Sequence, residues 1–542
     1  MAISVAETHP LTTPARPWLA AATGVARSET TVTVLASVAV IAIWQLLAAT
    51  VLHGKGVLAS PSETVASLWS DRSLYWGATR TTGWVAFRGW LAGSLGAVVV
   101  GLLFVQIPVA ERLLLRLALV LFCLPLVAVA PILKIAFAGD MPRVLLATLS
   151  VFFPTLVMTL LGMRAADTGS LAIVHSIGGG RWAAMRFVRW RAATPSILAG
   201  LKLGAPAAVL GALLGEFMGA TRGLGVVLIN GMSTIKPQRV WGIAVITTAL
   251  AMISYAAIGA LSRRLHPWAN EATSDGPAAA PMQRHWWSAV AWGIASLAVV
   301  VGAWFGFIRL LDLSSFSAKT PLDVWRSLTS DARAGADRRA LRDAVLVTAR
   351  HAASGYVVGL VGAVATGIAF VRRPGLERAL MPLAMTLRSV PIVVVTPILI
   401  LALGRGALSV AVITGIISFF PTLANTVFGL RSTSDNLTTL MHSYDAGPWH
   451  LLWRAQLPSA IPAILAAARL GAPSAVLGAT LAEWLATGDG LGHLIISSVS
   501  QSRYTLVWGG AAVLTVMSLV VYSAVSYVER RLLVRFAPEH LT

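Results

Sequence analysis

Two carboxylates, Glu216 and Glu483, stand inside otherwise apolar stretches, 267 residues apart. A charge at mid-bilayer costs about 2.5–3.5 kcal/mol on insertion scales, so each needs a partner or a task. Each is followed by a glycine-rich turn, Gly223-Leu224-Gly225 and Gly490-Leu491-Gly492. Two roles fit: a matched pair at a gate or solute pathway, or a carboxylate hydrogen-bonded to the backbone of that turn. Lys134 lies in another apolar run, and the matching position is Ile400. It would attract an anionic solute or snorkel to the nearby end of its span. Phe153 and Phe420 precede matched prolines at mid-span, and Asn425 adds a polar group. These three are pathway candidates, set against simple packing. Other chemistry is sparse. The ten histidines are scattered, and no His-Glu-x-x-His, paired-acid or nucleophile constellation stands out. No Gly-x-x-x-x-Gly-Lys-Ser/Thr phosphate loop is present. Cys123, the single cysteine, excludes an intramolecular disulfide and a multi-cysteine metal site. No catalytic residue, metal or cofactor is expected in this chain.

The elements that must position these residues are membrane spans. The 542 residues are 56% hydrophobic and only 12% charged, about half the charged share of a soluble domain. The net charge of +20 is spread between apolar runs, as basic cytoplasmic loops would be, and does not form a nucleic-acid-binding patch. Apolar runs of about 20 residues, enough to cross a bilayer core, lie near 31–52, 84–107, 113–137, 143–163, 196–220 and 240–261. Six more lie near 286–311, 350–371, 378–403, 406–430, 459–486 and 506–528. The fold class predicted is an all-α polytopic membrane protein with about 12 transmembrane helices.

The two sets of six repeat each other. Phe152-Phe153-Pro154, His175-Ser176, Trp182, Pro195, Glu216 and Gly223-Leu224-Gly225 all recur 267 residues later. Such register implies a duplicated, fused unit, and an even number of spans per unit makes the repeats parallel. The organisation read from this is a cytoplasmic N-terminal tail (1–30), a first unit (31–261), a cytoplasmic linker (262–285), a second unit (286–530) and a cytoplasmic tail (531–542). Arg164, Arg181, Arg186, Arg189 and Arg191 after span 4, with Arg263, Arg264, Arg530, Arg531 and Arg535, place both termini inside. Segment 313–349 disagrees: it would be external, yet it carries Arg333, Arg338, Arg339 and Arg342. An amphipathic surface helix is one expectation for it.

The loop between spans 4 and 5 is the most informative segment. In each half it reads as a short apolar helix, a turn of small residues, and a basic amphipathic helix leading into the next span. Gly178-Gly179-Gly180 and Ala446-Gly447-Pro448 supply the turns, where two helices are expected to meet at close range. An apolar helix exposed beside a membrane is costly unless covered, and docking in a partner's groove would cover it. Lying on the lipid surface is the alternative. These loops resemble the coupling loop of binding-protein-dependent ABC importer permeases, whose pattern is Glu-Ala-Ala, three residues, then Gly. Leu457-Pro458, Ala468-Arg469-Leu470-Gly471, Ala482-Glu483-Trp484 and Gly488-Asp489-Gly490-Leu491-Gly492 are similar to the nitrate/sulfonate/taurine type. The resemblance covers nearly the whole chain, twice, as two permease units fused in tandem.

The resemblance implies the type I importer permease fold, with ATPase-coupling positions at Ala172, Ile173, Val174, His175, Gly178 and Arg181. In the second half they are Thr439, Leu440, Met441, His442, Asp445 and Gly447. Both halves depart from the pattern. The acid is missing from Ala172-Ile173-Val174 and from Thr439-Leu440-Met441, and Asp445 stands where Gly178 does. The Leu-Pro pair is replaced by Trp190-Arg191 in the first half. The resemblance further implies two ABC ATPase subunits holding ATP and Mg, an extracytoplasmic solute-binding protein, the lipid bilayer of a bacterial inner membrane, and a small solute, either anionic like a sulfonate, taurine or nitrate or else a vitamin precursor. No nucleic acid is expected. A twelve-span secondary transporter driven by an ion gradient is the alternative. Pro108-Val109-Ala110-Glu111-Arg112 does not supply the charged Gly-Asp-Arg-type motif usual there.

Overall fold

The computed structural model describes residues 59–107, 109–110, 118, 120–234, 236–265, 286–388, 390–485 and 487–536, with scattered positions between 38 and 50. The expected N-terminal tail, most of the first span, residues 266–285 of the linker, residues 537–542 of the C-terminal tail and the start of the third span lie outside the described residues.

The first half comprises α1 (Pro61–Ser70), α2 (Arg72–Gln106), α3 (Leu126–Ala136), α4 (Met141–Arg164), α5 (Thr168–Ser176), α6 (Arg181–Phe217), α7 (Leu224–Ser233) and α8 (Pro237–Leu265). The second comprises α9 (Trp286–Leu310), α10 (Pro321–Thr329), α11 (Ala334–Arg372), α12 (Pro374–Arg388), α13 (Ile392–Leu403), α14 (Ala407–Arg431), α15 (Asp435–Ser443), α16 (Pro448–Leu485), α17 (Gly490–Ser500) and α18 (Tyr504–Phe536). Among the described residues there is no strand. Among the described residues, eight helices are long and apolar enough to cross a membrane by length and composition: α2, α4, α6, α8, α11, α14, α16 and α18. The chain is an all-α, multi-pass membrane protein built from two repeats.

Three features differ from twelve uniform spans. The third span of each half is broken at a proline: α3 starts at Pro125 and α13 at Pro391, each proline being the extended residue just before the helix. Proline lacks the N–H a continuing helix would need and biases its predecessor away from helix. Secondly, short apolar helices α7 and α17 follow the glycine-rich turns. Thirdly, much of segment 313–349 is helix. The amphipathic surface helix is α10, and the four arginines lie at or within the first turns of α11. Helix α10 has a counterpart, α1. Ser60 with Glu63 and Thr320 with Asp323 each form a reciprocal capping box with proline in the first turn. Both boxes are written in the sequence as Ser-Pro-Ser-Glu and Thr-Pro-Leu-Asp.

The long helices pack through small residues, as membrane helices do. A Cβ on Gly89 of α2 would lie 2.3 Å from the Ala147 Cβ of α4. One on Gly359 of α11 would lie 2.5 Å from the Gly415 carbonyl oxygen of α14. The same logic joins the fourth and fifth spans. Gly211 of α6 meets Ala147, and Gly478 of α16 meets Thr414. Each half is also closed by an ion pair: Asp71 with Arg239 at 2.8 Å, and Asp337 with Arg503 at 2.5 Å. The halves share a core in which Val127, Ala130 and Leu133 of α3 pack with Val393, Val394 and Ile398 of α13 and Leu481 of α16.

Candidate functional site

The fifth spans, α6 and α16, carry a candidate group at each end. At their C-terminal ends sit Glu216 and Glu483, both fully buried. Glu216 accepts a hydrogen bond from the Thr82 hydroxyl of α2 at 2.8 Å and one from the Gly225 amide at 2.7 Å. Thr82 in turn accepts from the Leu224 amide at 2.9 Å. Glu483 repeats this with the Thr348 hydroxyl of α11 at 2.8 Å and the Gly492 amide at 3.0 Å, while Thr348 accepts from the Leu491 amide at 2.8 Å. Each carboxylate therefore binds the N-terminal amides of α7 or α17, where the helix dipole favours negative charge. Gly223 and Gly490 have positive φ, and a Cβ on either would lie 2.2 Å from the carboxylate. The glycine turn is shaped around the acid.

The partners of the two carboxylates differ between halves. Arg143, buried at the start of α4, lies 4.0 Å from Glu216, donates to the Arg222 carbonyl at 2.9 Å and pairs with Asp140. In the second half, His351 of α11 places Nδ1 3.0 Å from the Glu483 carboxylate.

Just beyond the acids, Phe217 and Trp484 occupy matching positions and meet edge to face, with ring centroids 5.7 Å apart. Symmetry-equivalent residues can touch only near the axis relating the halves. Around Trp484, the residues Val127, Pro131 and Met218 of the first half face Thr480, Ile495 and Ile496 of the second. The seam between the halves is lined there mainly by apolar side chains. Sequence reasoning named the acids and missed this aromatic pair, although Glu216-Phe217 and Glu483-Trp484 stand in register.

The other pathway candidates are dispersed. Lys134 is exposed near the end of α3, its ammonium against Gly219 in the turn after α6. Phe153 stacks on Phe122 with centroids 4.4 Å apart, and Phe420 meets Phe419 edge to face at 5.2 Å. Asn425 is exposed and donates to the Pro421 carbonyl one turn back at 2.8 Å. Lys134 thus reaches the turn that follows Glu216, whereas Phe153, Phe420 and Asn425 make their contacts within or beside their own spans.

At the N-terminal ends of the fifth spans lie the two loops. Helix α5 begins at Asp167, whose carboxylate accepts from the Ser170 amide at 2.7 Å and the Ser170 hydroxyl at 2.9 Å. The Ser170 amide, then its hydroxyl and the Gly169 amide, hold the Asp167 carboxyl below the usual aspartate range. Helix α15 begins at Ser434, which accepts from the Leu437 amide at 3.3 Å. Both helices end alike. Gly178 has φ 81° and Asp445 has φ 52°, and the amides that follow, of Gly179 and Ala446, donate to Val174 at 2.8 Å and Met441 at 3.0 Å. This is a left-handed helix closure. Asp445 thus adopts the backbone turn of the missing glycine, which Asp tolerates better than most residues.

One expectation about these turns is corrected. A Cβ meets nothing within 4 Å at Gly178, Gly180 or Gly447. Only Gly179 is crowded, with Val174 at 2.6 Å, and its counterpart Ala446 carries a Cβ. Backbone conformation at Gly178 and local packing at Gly179 set the need for glycine, not close approach of two helices throughout. Ala172, Ile173, His175, Arg181, Thr439, Leu440 and His442 are exposed, as are Ile177, Trp182, Tyr444 and Trp449. Val174 and Met441 are half-buried. Both loops then pass through a π-helical turn, Met185–Arg189 and Leu452–Gln456. The turn forms in both halves, so Pro458, which the first half lacks, is not its cause.

Comparison with known proteins agrees with this architecture. The family described as binding-protein-dependent transport system inner membrane component matches residues 92–267 and again 355–534. The chain belongs to that family, as two tandem units. It is 32% identical over 179 residues to a carnitine transport permease protein of Listeria monocytogenes, covering 33% of this chain and 82% of that one. It is 31% identical over 157 residues to a formylaminopyrimidine transport permease protein of Halalkalibacterium halodurans, covering 29% and 63%. With a probable ABC transporter permease protein of Haemophilus influenzae it shares 28% identity over 177 residues, covering 33% and 71%. No solved structure matches the chain.

Proposed function

We propose that this chain supplies both permease units of an ABC importer, moving a small solute across a bacterial inner membrane with both termini in the cytoplasm. The observation that carries this reading is the pair of exposed helices α5 and α15. Each stands where the fourth span turns into the fifth, is capped at both ends, and presents apolar side chains to solvent: Ile173 is 65% exposed and Leu440 51%. An exposed apolar helix suits a groove on a partner, here one of two ATPase subunits that hold ATP and Mg. ATP-driven closure of the ATPases would draw α5 and α15 together. Each is joined through α6 or α16 to a buried glutamate and to the Phe217–Trp484 contact. That contact would serve as a gate between the halves, with Glu216 and Glu483 holding the turns that frame it. A separate solute-binding protein would deliver the solute, of the sulfonate, taurine, nitrate or vitamin-precursor kind.

Uptake by reconstituted vesicles tests the reading. Uptake should require the ATPase subunits and ATP, and should be indifferent to a proton gradient. Uptake that survives ATP depletion and follows the gradient would contradict it and favour the ion-driven alternative.

A further inference from the structure

The halves differ where α16 ends, at the far end of the fifth span from α15. A cleft of about 540 Å³ opens there, lined by His351, Arg405, Trp484, Asp489 and His493 with backbone at Gly406 and Gly488. That volume suits a small molecule. The ionisable groups are specific to this half. Val85 stands at the position matching His351, Val226 at that matching His493, and Arg222 at that matching Asp489. Arg405 enters from the turn before α14, whereas the corresponding turn at 138–140 carries an acid and no base. Three elements that are apolar or oppositely charged in one repeat thus converge as a polar cleft in the other.

The lining side chains of the cleft form no ion pair with one another among the described residues, although Asp489 acts electrostatically on His351. Among the described residues, neither Arg405 nor Asp489 has an ion-pair partner, and His493 makes no side-chain hydrogen bond. His351 is committed through Nδ1 to Glu483. The site therefore offers donors at Arg405 and His493, an acceptor at Asp489 and an aromatic surface at Trp484. A guanidinium and an imidazole recognise an oxyanion, while a carboxylate beside an aromatic ring recognises a cation.

We propose that this cleft binds a small dipolar molecule, its anionic end on Arg405 and His493 and its cationic end between Asp489 and Trp484. The transport reading enters only in taking the occupant to be a transported solute. Trp484 joins this cleft to the Phe217 contact, so occupancy would bear directly on the gate.

The test uses the full chain in lipid nanodiscs, with Cys123→Ala and a bimane label on Thr487→Cys, close enough to Trp484 for quenching. The probes are γ-aminobutyrate, with butyrate and butylammonium as single-charge controls. The dipolar probe should give a saturable change about tenfold tighter than either control, a difference of about 1.4 kcal/mol. Arg405→Gln should bring it down to the level of butylammonium, Asp489→Asn to that of butyrate, and Arg405→Lys should retain most of the binding. No saturable response, equal binding of butyrate and the dipolar probe, or unchanged affinity in both charge-removing variants would overturn the proposal. ATPase association measured on the same preparation separates failure of the cleft from failure of the transport reading.

Discussion

At the scale of single residues, the buried glutamates behave as structural centres whose every neighbour is fixed. Thr82 and Thr348 each donate to a carboxylate and accept from a helix-terminal amide. Replacing either by valine keeps the shape and strands both partners. Thr82→Val or Thr348→Val should lower stability by about 1–3 kcal/mol, read as a fall in melting temperature of the detergent-solubilised protein; an unchanged melt would refute the network. Asp445 invites the opposite change. Its left-handed backbone suits glycine, so Asp445→Gly should stabilise α15 by up to about 1 kcal/mol, seen as slower hydrogen exchange across Asp435–Ser443. Asp167 supplies a pH dependence. Its carboxyl is held below the usual range by Ser170, so the cap is at full strength above that range and is lost as pH falls through and below it. Hydrogen exchange across α5 should therefore distinguish wild type from Asp167→Ala near neutrality and cease to do so in acid.

At the scale of elements, the register of the repeat was legible because prolines, glycines and charges punctuate it at a nearly constant offset. Long apolar runs gave α2, α4, α6, α8, α11, α14, α16 and α18 directly. The broken third span was not legible, because an apolar run on both sides of Pro125 or Pro391 looks continuous to hydropathy. Helices α7 and α17 were missed since they are too short to span and follow a glycine turn that reads as a loop. The capping boxes of α1 and α10 were readable from Ser60 with Glu63 and Thr320 with Asp323 and were overlooked. The Lys202 and Arg469 positions show how one element keeps its role with different chemistry. Lys202 sits over the Tyr255 ring of α8 at 4.5 Å, and Arg469 pairs with Glu529 of α18 at 3.0 Å. Packing of these helices depends on glycine at the crossings. Gly359→Leu would drive a side chain into the α14 backbone at Gly415, so the variant should be recovered in the membrane at a small fraction of the wild-type level, while Gly375→Leu, with open space around it, should be recovered normally.

At the scale of the whole molecule, duplication within one chain frees the two halves to diverge. The repeated features are those that build the frame: the Thr–Glu–Gly networks, the Asp–Arg clamps, the left-handed helix closures and the π-turns. The divergent features lie at the ends of the fifth spans, in the side chain that partners the glutamate, the cleft of the second half and the apolar faces of α5 and α15. The contact between Phe217 and Trp484 joins the halves. An aromatic pair of this kind contributes about 0.5–1.5 kcal/mol beyond burial. Combining Phe217→Ala with Trp484→Ala should raise passive solute leakage through proteoliposomes in the absence of ATP; a membrane as tight as wild type would remove this contact from the gate.

The most direct measurement of the central claim is ATPase association by the full chain carrying Ile173→Asp, Leu440→Asp, or both. Each single change should weaken capture of the ATPase subunits, and the pair should abolish capture together with ATP-dependent uptake, while the protein remains folded in the membrane. Full capture and full uptake in the double variant would show that α5 and α15 are not the coupling helices.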